Sequence, residues 1–263
     1  MGQPANTTTK MFWTLNALLG VAVIGEMIAP KDWPILDAAT LVLATIASIA
    51  ALNRQLPLQN VLPAALIAAL IGGVAHGLSG NPNIGIPFGP LLFNQESGEK
   101  IFHFVPWTIL PLWIIVVFNA RGLARLILRP WRKVKNYGFW LIGLTGILVM
   151  ALDFAFEPFA THVKHFWFWQ PTKISVTWFG ASPLSFLGWG AVSLLILAFA
   201  TPSLIKKQPG KRSTPDFHSF ALWLGALLWF AVGSAKAGLW WPVGVDAAIA
   251  AVTAFFAIRG AKW

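Results

Sequence analysis

The sequence predicts an all-α, polytopic integral membrane protein of about eight transmembrane helices, with two long outer loops rich in aromatics, Pro and Gly. Three observations predict it. Of 263 residues, 57% are hydrophobic and 11% charged, more apolar surface than a soluble domain of that length can hide. The apolar residues gather into eight runs near the ~20 residues needed to span a bilayer core of about 30 Å. The basic residues are distributed unequally between the two faces those spans define.

The first run, 12–29, follows Lys10 and contains Glu26. It is too long for a signal-peptide core and no clear small-x-small site follows, so it reads as a span. The others are 36–53, 59–78, 105–128, 138–156, 183–204, 217–235 and 242–258. "PKDWP", "NRQLPLQ", "RPWRKVKNYG" and "KKQPGKRSTPDF" combine Pro, Gly and charge and read as loops. None of the runs alternates polar and apolar residues, and helices satisfy their own backbone in lipid. The chain, 1–263, reads as a single transmembrane helical domain.

Eight spans put both termini on one face. That face receives fourteen basic residues: Lys10, Arg54, the six from Arg121 to Lys135, the four from Lys206 to Arg212, Arg259 and Lys262. The other receives five: Lys31, Lys100, Lys164, Lys173 and Lys236. The asymmetry predicts a plasma-membrane protein with both termini cytoplasmic. It also accounts for the net charge of +10 as a collar facing anionic membrane lipids, not a nucleic-acid surface. The absence of Cys excludes disulfides and thiolate metal sites.

Two long loops, 79–104 and 157–182, fall on the outer face. They are expected to fold back onto the helix ends as a cap or as re-entrant pieces, since non-helical backbone at that depth must line a cavity or be covered by protein.

The chemistry centres on "ALDFAFEPF", 151–159. The chain has only nine acidic residues, and two of them, Asp153 and Glu157, stand four apart here on one helix face. Pro158 is expected to bend or end the helix. Two carboxyls in an apolar setting do not readily both ionise, and a neutral acid in an oily cavity is a proton donor suited to an apolar substrate. The plainer reading pairs them with Lys164 or with loop backbone. His76, His103, His162 and His165 all lie toward the outer face, but their spacing matches no metal-binding box, and no metal is expected. Trp167, Trp169 and Trp178 cluster beside the acids and suit either the interfacial belt or the face of a polyene. Glu26 needs a partner inside the bundle. Lys236 ends a helix and is read as snorkelling to the interface, not as a retinal-bearing lysine. The chain lacks GxxxxGK[ST], HExxH and a DxxxD diphosphate motif.

"GIPFGP" (85–90), "VPW…LPLW" (105–113), "ALDFAFEP" (151–158), "FWFW" (166–169) and "WFGASPLSFLGW" (178–189) occur in this order. Together they resemble the membrane carotenoid-biosynthesis family that includes the carotenoid hydratases, over roughly residues 60 to 205. The resemblance implies cofactor-independent addition of water to the terminal C=C of an acyclic carotenoid. It implies Asp153 as the acid, Glu157 as the group that positions or activates water, and His76 as a substitute base. Phe88, Trp107, Trp167, Trp169, Trp178, Phe179, Ser185 and Trp189 would meet the substrate. The chain departs from the family pattern at three places. Ala75 and His76 stand where a Glu is expected, "PLLF" follows PFG where a Tyr is expected, and Ser185 stands where an Asn is expected. These departures keep open a non-catalytic carotenoid- or pigment-binding membrane subunit, within a complex or a homo-oligomer. A transporter using Glu26, Asp153 and Asp246 is a third reading.

Overall fold

A computed structural model describes residues 4–28, 34–205 and 215–263. Eight α-helices carry the described chain: α1 (Pro4–Ile28), α2 (Pro34–Asn53), α3 (Leu58–Gly80), α4 (Ile109–Ile127), α5 (Tyr137–Pro158), α6 (Pro183–Ala200), α7 (His218–Lys236) and α8 (Trp240–Ala261). Among the described residues, α2 to α8 are long and apolar enough to cross a membrane, and α1 offers a shorter apolar stretch, Phe12–Ile28. The protein is multi-pass. Residues 29–33 of the first expected loop, with Lys31, and the basic run Lys206 to Arg212 lie outside the described residues.

The starts of α2 and α6 follow from Pro34 and Pro183, whose fixed φ and missing N–H suit the first helical turn. The centre of the bundle is α4, which packs against α2, α3, α5, α7 and α8. In lipid, helices associate through close packing, and small residues permit it. The inward face of α3 is built from Ala64, Ala65, Ala68, Ala69, Gly72 and Gly73. A Cβ on Gly72 would fall 2.1 Å from the Trp113 ring, so the bare glycine is what admits that indole.

Two of the basic residues assigned to the surface collar are used inside. Arg121 is buried and donates to the carbonyl of Leu204 at 3.0 Å; Arg125 donates to Gln55 Oε1 at 2.8 Å. The collar is therefore narrower than the sequence suggests.

The α-helix ends at Pro158, as expected. The backbone of Pro158 is still helical (φ −61°, ψ −38°), and a single π turn, Phe159–Val163, follows. The Lys164 N–H closes that turn on the Phe159 carbonyl at 2.9 Å. Proline removes the N–H that would have met the Phe154 carbonyl four residues back. Trp178 Nε1 donates to that carbonyl at 3.0 Å instead, and its ring stacks on Phe154 with centroids 4.7 Å apart. A side chain from the second outer loop thus replaces the missing backbone bond.

The outer loops meet each other. Strand β1 (Leu91–Phe93) pairs antiparallel with β4 (Trp167–Trp169), with Leu91 opposite Trp169 and Phe93 opposite Trp167. A second small hairpin joins β2 (Lys100–Ile101) to β3 (Val105–Pro106). The β1–β4 ribbon turns Trp167 inward, where it is buried, and Phe168 outward.

Candidate functional site

The end of α5, the β1–β4 ribbon and α6 enclose the acid pair. Asp153 is 2% exposed and Glu157 0%, yet their surroundings differ. Glu157 Oε1 accepts from Trp167 Nε1 at 3.2 Å and from Trp169 Nε1 at 2.5 Å. An indole N–H only donates, so that oxygen is a committed acceptor and any proton on Glu157 must sit on Oε2. Glu157 Oε2 and both oxygens of Asp153 have no hydrogen-bond partner among the described residues. Glu157 is a group held in place; Asp153 is a group left available.

Asp153 opens into a cavity of about 1290 Å³ between α1, α2, α4, α5 and α7. Its wall is overwhelmingly apolar. Trp107, Trp167, Trp189 and Phe156 surround the acid end, and the space continues past Leu19, Leu41 and Ala221 to Arg54 and His218 near the opposite ends of the helices. Those 19-residue to 20-residue helices are about 30 Å long, so the cavity suits an extended apolar molecule. Glu157 does not line it. A second cavity of about 620 Å³ opens on the side of the two long loops and is lined by Thr161, His162, His165, Trp167, Trp169 and Phe179, among others. Trp167 lines both cavities.

The remaining expected residues separate into layers. Trp107, Trp167 and Trp189 face the main cavity; Trp169 and Phe179 face the outer one. His76 faces neither. It is 1% exposed inside an aromatic box, with ring centroids 4.5 Å from Phe88, 5.3 Å from Trp189 and 5.9 Å from Trp113. His76 Nδ1 lies 3.1 Å from the Trp113 indole nitrogen and 3.2 Å from the Gly72 carbonyl oxygen. Phe88 is fully buried in the same box. Trp178 serves the helix backbone as described, and Ser185, at 0% exposure, lies on α6 with its hydroxyl unpartnered. The four outer histidines do not gather: His76 is in the core, His103 sits in the β2–β3 turn at φ +64°, and His162 and His165 line the outer cavity.

Sequence reasoning missed two features. Trp113 stacks on Trp189 at 4.5 Å and 21°, so it backs the cavity wall without touching the cavity. Its signal was Gly72, a residue too small to mean anything until its partner is known. The second is the partner of Lys164. The acid pair does not take it. Lys164 Nζ, just beyond the π turn, bonds Glu26 Oε2 at 2.9 Å and Asp37 Oδ1 at 2.8 Å, joining α1 and α2 to the end of α5. Burial opposes the charged ammonium, but the hydrogen bonds it donates to Asp37 and Glu26 outweigh it and raise the Lys164 pKa above the ordinary lysine value. Lys236, which ends α7, donates to the carbonyl of Met27 at the end of α1.

A family model described as "Carotenoid biosynthesis protein" matches residues 36–253. The chain belongs to that family. The matched region runs from α2 into α8 and contains the acid pair, the ribbon and every aromatic residue of the cavity wall named above. No curated protein and no solved structure matches the chain. This carotenoid biosynthesis protein therefore brings together a membrane bundle, a long apolar cavity and one unpartnered buried acid that opens into it.

Proposed function

We propose that this carotenoid biosynthesis protein adds water to the terminal C=C of an acyclic carotenoid. The observation that carries the reading is the asymmetry of the acid pair: Asp153 reaches an apolar cavity with no competing partner, while Glu157, one turn on, is fixed by two indoles.

The reaction balances without a redox partner. The Asp153 carboxyl gives its proton to the =CH carbon of the terminal alkene, the π electrons form the new C–H bond, and a tertiary cation remains on the dimethyl-substituted carbon. Trp167 and Trp189 present aromatic surface to that cation. Water attacks the cation and forms the C–O bond, and the surplus proton passes to Glu157 Oε2. Transfer from Glu157 to the Asp153 carboxylate restores the starting state. A single water is consumed and no electrons are exchanged. General acid–base assistance of this kind contributes about 10²–10⁴-fold.

In this reading the chain acts as a single transmembrane domain in the plasma membrane, with both termini cytoplasmic and the acid pair near the outer leaflet. The polyene enters from lipid and lies along the bundle.

A second reading is carotenoid binding without chemistry. One observation favours it: His76, which stands where the resemblance expects a Glu, is walled off from the cavity by aromatic rings. Expression in cells that make lycopene separates the two. Extracted pigment heavier by one water, lost in Asp153→Asn, supports hydration. Unchanged lycopene that copurifies with the wild-type protein overturns it in favour of the binding subunit.

A further inference from the structure

The hydration reading requires a water beside the cation in a cavity whose wall is mostly apolar. Neither Ser185 nor Glu157 lines that cavity; the water would reach Asp153 from the α5–α6 seam, where Ser185 stands. The register of α5 against α6 follows from two close approaches: Gly146 lies against Leu194, and a Cβ on Gly190 would fall 2.7 Å from Met150 Sδ. The helices are antiparallel, so each step outward along α5 matches a step back along α6. Asp153 is then level with residue 187 and Glu157 with residue 183. Ser185 falls midway, about 3 Å along the axis from each. It also stands four residues before Trp189, on the same face of α6, and Trp189 shares the cavity wall with Asp153.

The Ser185 hydroxyl is one of four buried hydroxyls with no partner among the described residues; the others belong to Thr40, Thr201 and Ser234. Buried hydroxyls on this chain commonly turn back onto their own helix: Thr145 onto the Leu141 carbonyl, Ser48 onto Ala44, Thr161 onto Glu157. Ser185 lies in the first turn of α6, where the carbonyl four residues back, that of Ala181, already accepts from the Trp178 N–H at 2.8 Å. Its Oγ is buried and unpartnered, as are Glu157 Oε2 and both Asp153 oxygens. A buried water needs about two to four polar partners, and these three residues supply that number at one level of the bundle.

We propose that Ser185, together with Asp153 and Glu157 Oε2, binds the water that adds to the polyene, and so acts as the positioning residue for the nucleophile. This rests on the hydration reading. The water's oxygen lone pair forms the C–O bond while one of its protons leaves for Glu157 Oε2; Ser185 steers the oxygen and exchanges no proton in the net reaction.

The test is a partition of the cation. In D2O, protonation by Asp153 places deuterium on carbon. Water capture then gives the alcohol, whereas loss of a proton from a neighbouring methyl group returns a deuterated alkene. Purified protein is given lycopene in D2O, and the ratio of deuterated alkene to alcohol is read by mass. Wild-type protein is expected to give mostly alcohol. Ser185→Ala should raise the ratio about tenfold, with polyene binding unchanged by visible absorbance, and Ser185→Thr should restore it. If Ser185→Ala does not accumulate, Ser185→Cys, nearly the same size and a poor hydrogen-bonding group, is expected to raise the ratio in the same way. A wild-type protein that yields neither product overturns hydration and this inference together. A wild-type protein that hydrates, with the ratio unmoved in both the Ala and Cys variants, overturns the Ser185 assignment alone.

Discussion

Two pairs of carboxyl groups sit toward the same end of this bundle, buried except for the half-buried Asp37, and they are treated in opposite ways. Glu26 and Asp37, on α1 and α2, share the ammonium of Lys164 at 2.9 and 2.8 Å. Asp153 and Glu157, on α5 about three and two turns before that lysine, receive no cation among the described residues; Glu157 is given two indole N–H groups and Asp153 no partner. A buried charge is tolerated when paired, and removing its partner is costly. The first pair is therefore a clasp that fixes the α1–α2 hairpin against the rest of the bundle. The second keeps an acid unspent where the cavity wall is apolar. The difference teaches that the placement of Lys164, as much as the acids themselves, assigns the roles.

Four substitutions break or sharpen this contrast. The largest effect is expected from Asp153→Asn, which keeps the shape of the side chain and removes its proton: water addition should fall by about 10⁴-fold, measured on extracted pigment, with lycopene still bound. Lys164→Met should leave the buried Glu26 and the half-buried Asp37 uncompensated and lower stability by about 3 kcal/mol, read as a fall in the thermal midpoint in detergent. Adding Glu26→Gln and Asp37→Asn to it should recover a large part of that loss, because the unpaired charges are then gone. Glu157→Gln retains an oxygen for the two indoles but cannot take up a proton; hydration should drop by about 10²-fold with little change in thermal midpoint. The smallest effect belongs to Trp178→Phe, which preserves the stack on Phe154 and deletes the N–H that replaces the proline's missing bond. It should cost about 1 kcal/mol and leave turnover per folded molecule unchanged.

Much of the scaffold can be read in the chain because hydropathy is a local property. The expected spans 36–53, 59–78 and 183–204 lie within a few residues of α2, α3 and of α6 with the short turn that follows it. The shared face of Asp153 and Glu157 was also readable, since a spacing of four fixes it. What could not be read depends on partners far apart in sequence. The end of α5 at Pro158 was readable, but not that Trp178, 24 residues from Phe154, supplies the bond that proline removes. Lys164, which the plainer reading paired with the acids, instead meets Glu26 and Asp37, which are 138 and 127 residues away. Which acid faces the cavity was equally hidden, because the opposite walls come from α1, α2, α4 and α7. His76 shows the limit of motif reasoning: it occupies a position where an acid is expected, but the small residues of α3 admit Trp113 and enclose it.

The central claim is that the uncompensated carboxyl does the chemistry and the compensated one does not. It is tested most directly by giving lycopene to equal amounts of folded wild-type, Asp153→Asn and Glu26→Gln protein and weighing the pigment. The account predicts a gain of one water with wild-type and Glu26→Gln and none with Asp153→Asn. Hydration that persists in Asp153→Asn, or that disappears equally in Glu26→Gln, would contradict it.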